Sequence, residues 1–124
     1  RSPQQRHKLL RFTPVGRNKP ITRHAAVIIE AKYLESLRRG YEVTVGRTGD
    51  KEIDFVCDKR GEKLYVQVTY LLASEETVNR EFGAYDSIRD NFPKYVVSLD
   101  EFDMSRNGIK HRNIRDFLLA EEWN

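Results

Sequence analysis

The stretch from Tyr41 to Tyr70, YEVTVGRTGDKEIDFVCDKRGEKLYVQVTY, limits the fold more than any other part of this chain. Apolar and polar residues alternate through it in three short runs, the pattern of half-buried strands. Two polar turns join the runs, Gly46-Arg47-Thr48-Gly49-Asp50 and Asp58-Lys59-Arg60-Gly61-Glu62. Connections this short produce an antiparallel meander. The first strand carries Tyr41, Val43 and Val45, the second runs Glu52–Cys57 and the third Lys63–Tyr70.

With Arg60 and Gly61 at the centre of the second turn, the register follows. Asp54 opposes Gln67, Glu52 opposes Thr69 and Val56 opposes Tyr65, all on one face of the sheet. Ile53, Phe55 and Cys57 share the other face with Leu64, Val66 and Val68, and that face is the expected core. Opposed Cβ atoms lie about 5 Å apart, so one cation can touch both Asp54 and Gln67.

Around the meander the chain alternates helix and strand. A helix is expected from Thr22, its N-cap, to about Arg39, with Gly40 as the stop. Ala26, Ile29, Tyr33, Leu34 and Leu37 form its apolar stripe at 100° per residue. Glu30 falls about 20° from Leu37 on that geometry, inside the stripe, where a carboxylate is costly unless paired or bound to a metal. Glu35 falls about 160° away and is expected in solvent without a partner. Ser74 opens a second helix, with Val78, Phe82, Tyr85, Ile88 and Phe92 inward, ending before Pro93 and open to a kink at Gly83. Lys94–Leu99 reads as a strand buried on both faces. Gly108–His111 reads as a short fifth strand and Asn113–Glu121 as a closing helix, with Trp123 capping the core. The expected fold is an α/β sandwich around a mixed sheet.

At 124 residues the chain suffices for one domain. Of its Lys and Arg residues, seven lie in residues 1–24, which contain no acid, so the remainder carries a net charge of −4. Residues 1–24 therefore read as a basic arm or linker remnant, able to meet phosphates by charge, and residues 25–124 as the domain. No apolar run approaches the roughly 20 residues that span a bilayer, and no signal-peptide pattern opens the chain. With one cysteine, Cys57, there is no intramolecular disulfide, and a cytoplasmic setting is expected. Cys57 itself is expected as a buried thiol. His7, His24 and His111 lack metal-ligand spacing and are expected at the surface.

A string of short motifs gives this outline a family resemblance. In order they are Arg38-Arg39-Gly40-Tyr41-Glu42-Val43, Lys51-Glu52-Ile53-Asp54-Phe55-Val56, Tyr65-Val66-Gln67-Val68, Arg80-Glu81-Phe82, Ile88-Arg89-Asp90-Asn91-Phe92-Pro93-Lys94, Val97-Ser98-Leu99-Asp100 and Asn107-Gly108-Ile109-Lys110-His111. Residues 25–119 thereby resemble the C-terminal domain of a large family of prokaryotic AAA+ ATPases, a domain of unknown function within the PD-(D/E)XK nuclease superfamily. That superfamily includes archaeal Holliday-junction resolvases and restriction endonucleases. The resemblance implies a restriction-endonuclease-like three-layer sandwich with a central mixed sheet of about four to five strands. It also implies an ATPase domain as partner, missing from this chain, where no Walker A motif occurs.

The superfamily pattern is a Glu on the first helix, an Asp on the second strand and a Glu-x-Lys on the third. Asp54 stands at the Asp position, Gln67 replaces the Glu and Thr69 replaces the Lys. The first-helix Glu aligns on Ile29, and Glu30 is its neighbour. Glu30, Asp54 and Gln67 are therefore the candidate site and the candidate Mg²⁺ ligands. Mg²⁺ takes oxygen ligands, commonly one or two carboxylates, and Gln67 offers a carbonyl oxygen without charge. Thr69 cannot supply a cation to steady the developing charge, and Lys63 and Lys94, which begin strands, are the candidates to replace it. Two readings compete: a degenerate nuclease-like module that binds nucleic acid or regulates the ATPase, and an active Mg²⁺-dependent DNA endonuclease with a rearranged site.

Overall fold

The computed structural model describes residues 23–48 and 51–124. The basic arm up to residue 22, the Thr22 cap and the Gly49-Asp50 part of the first turn lie outside those residues. Helix α1 spans Arg23–Arg38, followed by strands β1 (Glu42–Thr48), β2 (Lys51–Lys59) and β3 (Glu62–Val68). Helix α2 (Glu75–Gly83), strands β4 (Lys94–Ser98) and β5 (Lys110–Asn113) and helix α3 (Ile114–Leu119) complete the chain. The five strands form one sheet in sequence order, antiparallel from β1 to β3 and parallel from β3 to β5.

The second turn closes as expected. Lys59 pairs with Glu62, and Arg60 and Gly61 take φ of 58° and 84°, the paired positive values of a two-residue hairpin turn that a glycine eases. The register that places Val56 opposite Tyr65 follows directly.

Two cores lie on opposite faces of the sheet, which makes the architecture a three-layer α/β/α sandwich. Ile28, Ile29 and Tyr33 of α1 and Phe117 of α3 pack with Phe55, Cys57, Val66, Val68 and Trp123 on one side. Val78 and Phe82 of α2 pack with Ile53, Tyr65, Val96 and Ile109 on the other. Each such side chain contributes roughly 1.5–3 kcal/mol on full burial. Trp123 caps the first core as expected: its ring stacks on Phe117 at 4.4 Å, and its Nε1–H donates to the Phe117 carbonyl at 2.7 Å.

Ile53 was expected on the same face as Phe55, and here the structure differs. Between the pairs Thr44–Val56 and Gly46–Ile53, one β1 residue opposes two β2 residues, Asp54 and Phe55. This bulge inverts the alternation, so Ile53 joins the α2-side core while Phe55 joins the α1-side core. The second helix is also shorter than its apolar spacing suggests. It ends at Gly83, and turns carry Tyr85 into the core without further helix. The fifth strand begins at Lys110, two residues later than expected, and α3 covers less than Asn113–Glu121 because Asn113 is its cap.

Candidate functional site

The bulge on β2 stands where the β2–β3 ladder stops. Main-chain pairing reaches Phe55–Val66 and goes no further toward Asp54. Past that point the two side chains expected to face each other bridge the strands. The Asp54 N–H donates to Gln67 Oε1 at 2.7 Å, and the Val68 N–H donates to Asp54 Oδ2 at 2.7 Å. Gln67 Nε2 donates onward to the Glu81 carbonyl of α2 at 3.4 Å. Asp54 and Gln67 are 5% and 4% exposed, so these bonds form in a low-dielectric interior where each counts for more. The pair is a polar clasp at a fork in the sheet.

Glu30 does not join it, because its side chain is exposed. The buried face of α1 is Ile28, Ile29, Lys32, Tyr33 and Ser36, and Leu34, assigned to the apolar stripe, is 53% exposed. The helix is turned so that a lysine and a serine face the sheet where a leucine was expected. Glu35 is half-buried and paired rather than free: Arg38 Nη2 and Arg39 Nε reach its carboxylate at 2.7 and 2.8 Å. Those hydrogen bonds hold its carboxyl down at about 2. Glu52 pairs with Arg47 at 3.1 Å rather than facing Thr69, since the ladder has already ended. Thr69 is buried beyond the end of β3, its N–H bonded to the Val97 carbonyl. Lys63 and Lys94, the candidate replacement cations, are engaged by Asp58 and Asp90 at 3.1 and 2.9 Å.

Two further buried charged residues stand on the helices that flank β2 and β3. Glu81 of α2 is buried beside Gln67, with Arg80 Nε 3.5 Å from Oε2. The Asp54 and Glu81 charges both act on the buried Tyr85 hydroxyl, which burial pushes well above its ordinary range. Lys32 of α1 is fully buried, with Nζ 2.9 Å from Cys57 Sγ and over the Phe55 ring at 4.8 Å. Burial lowers its pKa, against the raising influence of Cys57 and Asp54. Periodicity carried a signal for both: Lys32 follows Ile29 by three residues, and Glu81 follows Val78 by three, each on its helix's apolar stripe.

His111 is the third departure. Expected at the surface, it is buried in β5, where Met104 N–H donates to Nδ1 at 3.2 Å. Nε2 therefore carries the proton of the neutral ring and donates to Ser98 Oγ at 2.8 Å, while Ser98 Oγ donates to Asp100 Oδ2 at 2.6 Å. Serine, histidine and aspartate are together, but the histidine donates to the serine and so cannot act as its base. Asp100 Oδ2 also accepts from the Leu72 N–H at 2.7 Å, so the network pins two loops.

The clasp does not fit a Mg²⁺ ion as it stands. Such an ion demands near-octahedral oxygens and keeps several waters. Here Gln67 Oε1 and Asp54 Oδ2 are each directed at a main-chain N–H within a site closed to solvent. Among the described residues, no three His, Cys, Asp or Glu side chains converge. No described helix is long and apolar enough to cross a membrane.

No protein-family model matches the chain, and no solved structure matches it. An uncharacterized protein of Haemophilus influenzae is 35% identical over 88 residues, which cover 70% of this chain and 21% of that protein. The match thus spans about a fifth of the length of its relative.

Proposed function

We propose that this chain is a degenerate, restriction-endonuclease-like module of the PD-(D/E)XK type that serves a larger AAA+ protein by binding nucleic acid or regulating it, without cutting. One observation carries the reading: Asp54 and Gln67 hold the β2–β3 fork closed through main-chain bonds at 2.7 Å. The positions that would present a metal and a water to a phosphodiester instead hold a strand junction together. The three-layer sandwich with its mixed five-strand sheet supports the fold part of the reading. Similarity to a fifth of a longer protein supports the part that makes it a module.

The alternative, an active Mg²⁺-dependent DNA endonuclease with a rearranged site, draws on the two buried carboxylates, Asp54 and Glu81, on either side of Gln67. One assay separates the two. Supercoiled and branched DNA are incubated with the protein and Mg²⁺ or Mn²⁺, alongside folded Asp54→Asn. The module reading expects no cutting that depends on Asp54, and retention of DNA that weakens with salt. Cleavage abolished by Asp54→Asn would establish the nuclease instead.

A further inference from the structure

Lys32 of α1 and Cys57 of β2 meet in the α1-side core, and both side chains are 0% exposed. Nζ lies 2.9 Å from Sγ, which is its one hydrogen-bond acceptor among the described residues. An ammonium has three donors and ordinarily finds oxygen for them. This one meets a sulfur and the faces of Phe55 and Trp123, at 4.8 and 5.6 Å from their centroids. Ser36 Oγ is farther from the sulfur, at 4.0 Å, and Nζ, at 2.9 Å, donates to the sulfur. The sequence has no second cysteine, so oxidation of Cys57 cannot end in an intramolecular disulfide. The nucleophile already placed beside its sulfur is a nitrogen.

We propose that Lys32 and Cys57 form an oxidation-dependent covalent cross-link, a sulfenamide between Nζ and Sγ, which fastens α1 to the sheet. Hydrogen peroxide is the oxidant. Sγ attacks one peroxide oxygen, the O–O bond breaks, sulfur is oxidised by two electrons to the sulfenic acid, and one water leaves. The Nζ lone pair then attacks sulfur. The N–S bond forms, the S–O bond breaks, and the departing hydroxide takes a proton from nitrogen and leaves as a second water. One thiol, one amine and one peroxide become one N–S bond and two waters. The second step needs an unprotonated amine, and burial lowers the lysine's pKa in that direction. It also needs Nζ to close on Sγ, a motion that the four-carbon stem of a lysine allows. Peroxide, small and uncharged, reaches the pair through local opening of α1.

The test uses the whole chain. Protein treated with hydrogen peroxide is unfolded in the presence of N-ethylmaleimide and weighed intact. The cross-link predicts a product about 2 Da lighter than the reduced protein, with no maleimide attached, whereas sulfenic and sulfinic acids are heavier by about 16 and 32 Da. Proteolysis should yield the Lys32 and Cys57 peptides joined, and dithiothreitol should separate them and restore maleimide uptake. A Cys57 that still takes up maleimide after treatment overturns the proposal, as does one recovered as an acid on an unlinked peptide. This mapping needs no variant to fold. Where Lys32→Met folds, peroxide should leave its Cys57 as an acid and never as a cross-link.

Discussion

Asp54 and Gln67 hold the fork between β2 and β3 with an amide and a carboxylate, each accepting a main-chain N–H at 2.7 Å. The bulge that inverts the β2 alternation lies at the same place, so the clasp supplies bonds where the ladder has been interrupted. The position that the proposed reading assigns to a nuclease-like site thus coincides with a structural joint. Substitutions there report on folding before they report on chemistry.

Gln67→Glu would place a third carboxylate at the clasp, as the proposed nuclease-like reading has at this position, and it should destabilise the protein. The new carboxylate keeps an acceptor for the Asp54 N–H but loses the donor that reaches the Glu81 carbonyl. It also adds a buried charge near Asp54 and Glu81. A loss of about 2–4 kcal/mol is expected at neutral pH. The loss should shrink in acid, because burial and like charges raise the pKa of the new group. Urea unfolding at two pH values measures both effects, and an unchanged midpoint would remove the clasp from the account.

Gly46→Ala should also destabilise. A Cβ at Gly46 would stand 2.5 Å from Val56 Cγ2 and 3.3 Å from Ile53 Cβ. Both neighbours are β-branched and stiff, and both flank the bulge. Overpacking of this kind costs about 1–3 kcal/mol. A melting temperature equal to that of the parent would show that the strand can shift to admit the methyl group.

The hairpin was legible because a two-residue turn sets the register of everything behind it, and Arg60-Gly61 gave Val56 opposite Tyr65 without further information. The bulge was not, since an extra residue in β2 leaves the local sequence alternating while it moves Ile53 to the other face. Helix periodicity located α1 but not its rotation. Leu34 and Leu37 pulled the stripe toward Glu30, whereas the Lys32–Cys57 contact, 25 residues apart in sequence, turns Lys32 inward. For the same reason Glu81, between Arg80 and Phe82, carries no local mark of a site residue, and only the packing of α2 against Gln67 gives it a place in the site. His111 was misassigned because its burial depends on Ser98 and the Met104 N–H, neither of which is local to it.

Lys32→Met should stabilise the protein at neutral pH by about 1–3 kcal/mol, since a well-packed apolar side chain replaces a buried amine. Burial lowers the Lys32 pKa, so between the folded value and 10.5 the unfolded chain binds more protons. Stability of the parent therefore rises with pH through that window and is reduced below it. The advantage of the variant should narrow as pH approaches 10.5. Denaturation of both proteins at pH 7 and pH 10 checks this, and a Lys32→Met protein less stable than the parent at pH 7 would mean that the contact with Cys57 outweighs desolvation.

His111 should make stability fall in mild acid. Burial lowers its pKa below 6.5, outweighing Asp100, Asp103 and a hydrogen bond to the Phe102 backbone, which all favour protonation, and Arg112 opposes it as well. The neutral ring accepts from the Met104 N–H at Nδ1 and donates to Ser98 at Nε2. A second ring proton would set donor against donor at Nδ1. Between 6.5 and the lower folded value the unfolded state binds more protons, so ∂ΔG/∂pH is positive there. The contribution is complete above about 6.5, the unperturbed histidine value, and is lost as the pH falls toward the folded value. The melting temperature should drop from pH 7 to pH 5, and amide exchange should quicken at Met104, Leu72 and Asp100, the three N–H groups bonded into the network. In His111→Gln, which does not titrate here, melting temperature should start lower at pH 7 and change less over the same range. An equal slope in parent and variant would place the acid sensitivity on other groups and leave His111 as packing alone.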